Sequence, residues 1–343
     1  MVEADSVRAA LAATAGQGRP AIETSGLTKR YDELVAVDDV SFAVQEGEVF
    51  GFLGPNGAGK TTTINMLTGL ARPTAGTIHF FGRDYSADVK KAQHLMGIVA
   101  DESNLYPELD GFQNLCFSAA LYGMGRQERE QRARELLDTF GLAGAARRKF
   151  AAYSKGMKRK LTIAAGIIHR PVILFLDEPT TGIDVASARE IRQLLAGLSE
   201  SGTTIFLTTH YIEEAERLCD RIAFIVEGRL VRMDTLANLV KDVQGRHIVQ
   251  LTAQAGVGSM DTLHQAFPEV RFERVSENVL HAHTAEPLPL APLIRFLEEH
   301  GVGVTEAKAI RPSLEDVFVR ITGIELERMR KEKEQGQQKG AGA

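Results

Sequence analysis

The sequence predicts an α/β fold in which a buried, mainly parallel sheet carries a phosphate-binding loop, followed by a small α+β unit. Three observations predict it. Gly54–Thr61 reads Gly-Pro-Asn-Gly-Ala-Gly-Lys-Thr, the G-x-x-x-x-G-K-[ST] P-loop pattern, with a strand-like run before it and a helix-like run after it. From Ala21 to about Val240, short continuous apolar runs alternate with segments of helical period, as strands buried on both faces do. From about Arg246 the order becomes strand, helix, strand, strand, helix, strand.

The bulk properties set limits. A chain of 343 residues suggests two domains, or one large domain with an appendage. A formal net charge of −5 argues against a general nucleic-acid binder. Cys116 and Cys219 are isolated, so no disulfide framework is implied and a reducing compartment suits the chain. No apolar stretch reaches the roughly 18–20 residues that a membrane span requires. The N-terminus shows no basic segment followed by an apolar block, so no signal peptide is expected.

In chain order, residues 1–20 read as a loose tail and 21–240 as the α/β domain. Val49, Phe50, Phe52 and Leu53 form the strand before the P-loop, and Thr62–Leu67 continues as a helix. Gly97–Ala100, Val172–Leu176, Thr203–Leu207 and Ile222–Val226 are further strand candidates. The segment from about 105 to 170 shows no strand and reads as a helical insertion, with one helix ending at Phe140 and Gly141 as its cap. Between Arg126 and Lys160 it carries eleven Lys/Arg against four Asp/Glu, which suits a solvated helix face or a surface near anionic headgroups. Ile191, Leu194, Leu195 and Leu198 recur at helical spacing. Residues 246–324 suggest a ferredoxin-like accessory unit whose last helix sets Leu314, Val317, Phe318 and Ile321 on one face. His281 and His283 share a strand face, and without nearby acids they read as solvated histidines. Residues 325–343 have the composition of a disordered tail.

The chemistry starts at the P-loop. Gly54, Pro55, Asn56, Gly57, Ala58 and Gly59 allow a concave nest of backbone N–H groups, and the helix behind adds the positive end of its dipole. Lys60 is placed to reach β- and γ-phosphates, and Thr61, followed by Thr62, to offer a hydroxyl to Mg²⁺. The apolar strand Val172–Leu176 ends in Asp177 and Glu178. Beside a P-loop, Asp177 is assigned to the metal and Glu178 to the base that activates water.

These motifs together resemble the ATP-binding subunit of an ABC transporter, over roughly residues 21–240. Tyr153-Ser154-Lys155-Gly156-Met157 resembles the family's signature segment, Leu-Ser-Gly-Gly-Gln, although a helix cap alone would also account for Ser154. The resemblance implies a P-loop NTPase fold of ABC type with its helical insertion. It implies ATP and Mg²⁺ as ligands, and two nucleotides sandwiched between head-to-tail subunits, identical or different. Ser154 and Gly156 would then meet the nucleotide of the partner subunit. Tyr31 matches the aromatic that stacks on adenine, His210 the switch histidine at the γ-phosphate, and Asp184 the loop linking the two sites. Two departures stand out. Lys155 and Met157 replace a glycine and a glutamine of the signature. Asp101 stands where the family has a glutamine that helps hold Mg²⁺ and water. The C-terminal segment around Pro312–Phe318 is similar to that of exporter-type ABC ATPases. The implied role is the motor of an exporter, peripheral on the cytoplasmic face of the membrane and coupled to a separate transmembrane permease. A soluble ABC ATPase acting as an assembly or regulatory module is the alternative.

Overall fold

The computed structural model describes residues 20–241, 247–254, 256, 260–284, 286, 288–310 and 314–323. Of the tail expected at 1–20, residues 1–19 lie outside the described residues, as do the tail expected at 325–343 and Pro312 with Ser313, whereas Pro20 begins the first strand rather than ending a tail. The chain divides into two compact units, with the boundary between Asp234 and Thr235.

In the first unit, a six-stranded sheet has the order β10-β9-β3-β8-β7-β6. Its strands are β3 (Val49–Leu53), β6 (Met96–Val99), β7 (Ile173–Asp177), β8 (Thr204–Thr209), β9 (Arg221–Val226) and β10 (Arg229–Thr235). β3 runs parallel to β8 and β9, and β7 runs parallel to β6 and β8. Continuous burial along β3, β7 and β8 explains their apolar runs. Parallel register brings the C-terminal ends of β3, β7 and β8 to one edge, with Leu53 beside Thr209 and Asp177 beside Thr208. The crevice beyond such strand ends is where open α/β sheets hold ligands.

A second sheet of order β2-β1-β4-β5 was not anticipated from the sequence. It consists of β1 (Pro20–Tyr31), β2 (Leu34–Gln45), β4 (Ala75–Phe80) and β5 (Arg83–Asp84), all pairs antiparallel. Its long strands mix buried Ile22, Leu27, Val37 and Val40 with exposed charges, and register shifts interrupt their alternation. Phenyl rings bind it to the parallel sheet. Phe42 of β2 stacks on Phe50 at 5.6 Å between centroids and 15° between planes, and Phe206 lies within 5.8 Å of Phe42, Phe50, Phe52 and Phe175.

Helices complete the unit: α1 (Lys60–Leu67), α2 (Gly111–Leu121), α3 (Arg126–Thr139), α4 (Lys155–Gly166), α5 (Val185–Glu200) and α6 (Ile212–Leu218). From 105 to 170 only helical elements occur, apart from a single bridge between Asp110 and Lys149. The Asp110 carboxylate accepts from Gln113 N, and the Gln113 side chain accepts from Asp110 N, a reciprocal cap that starts α2. α4 lies close on the sheet: a methyl group at Gly97 would sit 2.3 Å from the Gly166 carbonyl oxygen.

The second unit contains α7 (Leu236–Lys241), β11 (His247–Ala253), α8 (Met260–Ala266), β12 (Arg271–Ser276), β13 (Val279–Thr284), α9 (Leu290–Glu299), β14 (Val304–Ile310) and α10 (Leu314–Thr322). The sheet order β12-β13-β11-β14, antiparallel throughout, is the ferredoxin-like arrangement. Leu263, Leu293 and Leu297 of α8 and α9 pack with Val249, Leu251, Phe272 and Leu280. Leu314, Val317 and Phe318 are buried in α10. One expectation is corrected here. His283 Nε2 lies 3.2 Å from Glu273 Oε2, so an acid does stand beside the histidines. Among the described residues, no three His, Cys, Asp or Glu side chains form a metal cluster.

Candidate functional site

The loop from Gly54 to Gly59 leaves β3 and enters α1 at Lys60. Gly57 and Gly59 have φ of 78° and 101°, the left-handed region that glycine adopts without strain. A Cβ at Gly54 would stand 2.2 Å from the Ile225 carbonyl oxygen, and one at Gly59 2.5 Å from that of Ala36. At Gly54 and Gly59 the loop backbone is thus seated against β9 and β2 with no room for a side chain. Asn56 and Gly57 are exposed at its tip, while Lys60 is buried and Thr62 half-buried. Lys60 Nζ donates to the carbonyls of Gly54 (2.8 Å) and Pro55 (3.1 Å) and lies 3.5 Å from Glu178 Oε1.

At the ends of β7 and β8 four polar residues converge. Asp177 is buried; Thr61 Oγ1 donates to its Oδ2 at 2.8 Å, and Thr208 Oγ1 donates to its Oδ1. Glu178 has φ of 49°, unusual for a non-glycine residue. Its N–H donates to Thr208 O at 3.1 Å. Its Oε2 lies 2.7 Å from His210 Nδ1 and accepts from Thr181 Oγ1 at 3.0 Å. Burial pushes the Glu178 carboxyl up, but the His210 hydrogen bond, Lys60 and Thr181 outweigh it and hold the pKa below the usual glutamate value. A carboxylate kept ionised and fixed in orientation is what a base toward water requires.

The remaining residues fall into three places. Ser154 caps α4 by accepting from Met157 N at 3.3 Å, and Asp184 caps α5 by accepting from Ser187 N and Oγ at 2.9 and 2.8 Å. Those Ser187 bonds hold the Asp184 carboxyl below its usual value. The two caps adjoin, because a Cβ at Gly156 would meet Ser187 Oγ at 2.2 Å. Tyr31 ends β1, 46% exposed, with Lys29 Nζ 4.7 Å from its ring centre. Asp101 follows β6. Burial raises its pKa, Arg159 opposes that rise, and the charges of Glu178 and Asp177 add to it.

Sequence reasoning overlooked Arg159 and Thr208. Arg159 is 7% exposed, and its guanidinium donates to the carbonyls of Ala100, Asp101, Asp177 and Pro179. Its spacing from Gly156, Thr162, Ile163 and Gly166, all on the buried face of α4, was a readable signal. For Thr208, the signal was a hydroxyl ending an otherwise apolar run.

The residues present fit a magnesium nucleotide. Thr61 and Asp177 bring two hard oxygens together, and an ion held by so few protein groups is completed by phosphate oxygens. Lys60 adds a cation, and His210 Nε2 is buried with no partner among the described residues.

Comparison with known proteins agrees. Residues 37–181 match the ABC transporter family. The linearmycin resistance ATP-binding protein of Bacillus subtilis is 34% identical over 310 residues, 89% of this chain and 99% of that protein. The daunorubicin/doxorubicin resistance ATP-binding protein of Streptomyces peucetius is 37% identical, covering 88% and 92%. The Nod factor export ATP-binding protein I of Burkholderia orbicola is 36% identical, covering 89% and 98%. A dimeric bacterial ABC transporter cassette superposes with a TM-score of 0.58 at 29% identity, over 63% of this chain and 98% of that one. No described helix is long and apolar enough to cross a membrane. The chain therefore belongs to the ABC transporter family, as an ATP-binding subunit of exporter-type systems that binds ATP with Mg²⁺ and hydrolyses it.

Proposed function

We propose that this chain is the motor of an exporter whose transmembrane permease is a separate chain, and that it acts in a nucleotide-sandwich dimer on the cytoplasmic face of the membrane. The observation that carries the reading is the convergence of Lys60, the Thr61–Asp177 pair and the Glu178–His210 pair at one edge of the parallel sheet. Gly54–Thr62 cradle the triphosphate and Tyr31 stacks on the adenine. Thr61, Asp177 and Asp101 face the metal side, where Mg²⁺, when bound, supplies positive charge to the phosphate oxygens. Glu178 takes the proton of the water that attacks the γ-phosphorus, so that the bond to ADP breaks as the bond to water forms. His210 orients Glu178 and turns its free Nε2 to the γ-phosphate. Ser154, Gly156 and Asp184 serve the nucleotide of the second subunit.

The docking face for the permease lies on the helical segment. Tyr106, Phe117, Leu121 and Tyr122 are exposed there, with Leu121 at 74%. Exposed apolar side chains gathered at one place mark interaction surfaces.

The test is a set of variants. Lys60→Ala is expected to lose ATP binding. Glu178→Gln is expected to bind ATP, hydrolyse it poorly and accumulate as a closed dimer on sizing columns. A variant that stays monomeric with Mg-ATP refutes the sandwich. Co-purification of a six-span protein from solubilised membranes supports a permease partner, and recovery of the chain only in soluble fractions refutes the membrane location.

A further inference from the structure

We propose that Arg159 is a positioning residue for hydrolysis, a clamp that fixes the turn bearing Glu178 and the segment bearing Asp101 against the helix that Ser154 caps. This rests on the reading of Glu178 as the base. Arg159 sits one turn into α4. Its Nε donates to Pro179 O at 2.9 Å, one terminal nitrogen to Ala100 O and to Asp101 O (3.0 Å), and the other to Asp177 O (2.6 Å). All four acceptors are main-chain carbonyls, and they belong to two segments. Ala100 and Asp101 follow β6; Asp177 and Pro179 bracket Glu178. The segments leave the sheet side by side, since Val99 pairs with Leu176.

Three features point to positioning rather than simple packing. First, Glu178 holds a left-handed backbone conformation that carries steric cost, and such a conformation persists where its surroundings over-determine it. Arg159 grips the carbonyls on both sides of that residue, and Thr208 holds its N–H. Second, the planar guanidinium reaches several fixed directions at once, which a lysine ammonium on the same stem does not. Third, the clamp takes hold of the Asp101 backbone and leaves its carboxylate free. Any movement of α4 as Ser154 meets a nucleotide is transmitted through one side chain to both segments.

The test uses the full chain, with Arg159→Lys as the main variant because it keeps the charge and the aliphatic stem and removes only the planar fork of donors. MANT-ATP binding serves as the check on fold and nucleotide site, and turnover is measured in the wild-type and Glu178→Gln backgrounds. A misplaced reacting group costs on the order of 10²-fold in rate. Arg159→Lys is therefore expected to lower kcat by about 10- to 100-fold with MANT-ATP affinity changed less than about 3-fold. In the Glu178→Gln background the further loss is expected to stay below about 3-fold, since two residues acting as one unit do not add. Unchanged kcat, equal losses in both backgrounds, or loss of MANT-ATP binding together with turnover each overturn the clamp and leave the Glu178 reading standing. Full turnover in Glu178→Gln alone overturns both.

Discussion

Gly156→Ala probes how closely the first turns of α4 and α5 abut. The added methyl carbon would lie 2.2 Å from Ser187 Oγ and 2.6 Å from Ser187 Cβ, where ordinary contact starts at 3.4 Å. Rotation of the Ser187 side chain moves its Oγ but not its Cβ, so the helix backbones must shift. Overpacking of this kind costs about 1–3 kcal/mol. Displacing Ser187 Oγ also weakens its 2.8 Å bond to the Asp184 carboxylate, which adds to the cost. The assay is urea denaturation followed by circular dichroism, with the midpoint expected to fall and the slope to stay constant. Adding Ser187→Gly removes both clashing atoms. It should recover the overpacking cost, leaving the loss of the Ser187 Oγ–Asp184 bond and about 1 kcal/mol of helix propensity lost to glycine. ATP turnover separates the two roles of Gly156: if it also closes on a partner's phosphate, the stabilised double variant stays slow. A single variant whose stability falls by less than about 0.5 kcal/mol, within the scatter of surface changes, refutes the packing argument. A double variant with full turnover refutes the phosphate role.

Three more outcomes follow from the same geometry. Thr208→Val removes a hydrogen bond to the buried Asp177 carboxylate and should cost about 1.5–3 kcal/mol in urea denaturation, with a raised Mg²⁺ requirement for turnover. Phe206→Ala empties the centre of the phenyl cluster and should cost about 3–5 kcal/mol, read by hydrogen exchange in β3 and β8, with β11 and β13 amides as the control. Asp101→Asn tests a titration. Burial raises the Asp101 pKa in the fold above the ordinary 3.8, so its favourable contribution is complete below 3.8 and lost as pH rises through the folded value. The stability of the Asn variant relative to wild type should therefore climb across that window and then level off, and a difference independent of pH would show that Asp101 is not desolvated.

Much of the site was legible because it depends on short local patterns. The P-loop and the Asp177–Glu178 pair each follow one apolar strand, and the strand order then brings them together without further signal. The antiparallel sheet was hidden because β1 and β2 carry Thr28, Lys29, Arg30 and Asp39 beside their apolar positions, and register shifts break the period of two. Strand ends moved for a physical reason as well. The first strand of the insertion side stops at Val99 rather than Ala100, whose carbonyl is taken by Arg159 instead of a neighbouring strand. Arg159 itself escaped notice because a charged residue in a basic stretch reads as solvated until its burial is seen. The acid beside His283 lies on the adjacent strand β12, and pairing across strands is invisible in the linear sequence.

The phenyl cluster has a mechanical consequence. Phe42 belongs to the sheet whose strand β1 ends in Tyr31, while Phe50, Phe52, Phe175 and Phe206 belong to the strands whose tips carry the P-loop and the carboxylates. Prising the two sheets apart would expose five aromatic rings to water. On the proposed stacking of Tyr31 against adenine, the base end and the triphosphate end of a bound nucleotide rest on a common chassis, and the freedom to embrace or release it falls to the segments hung outside that chassis.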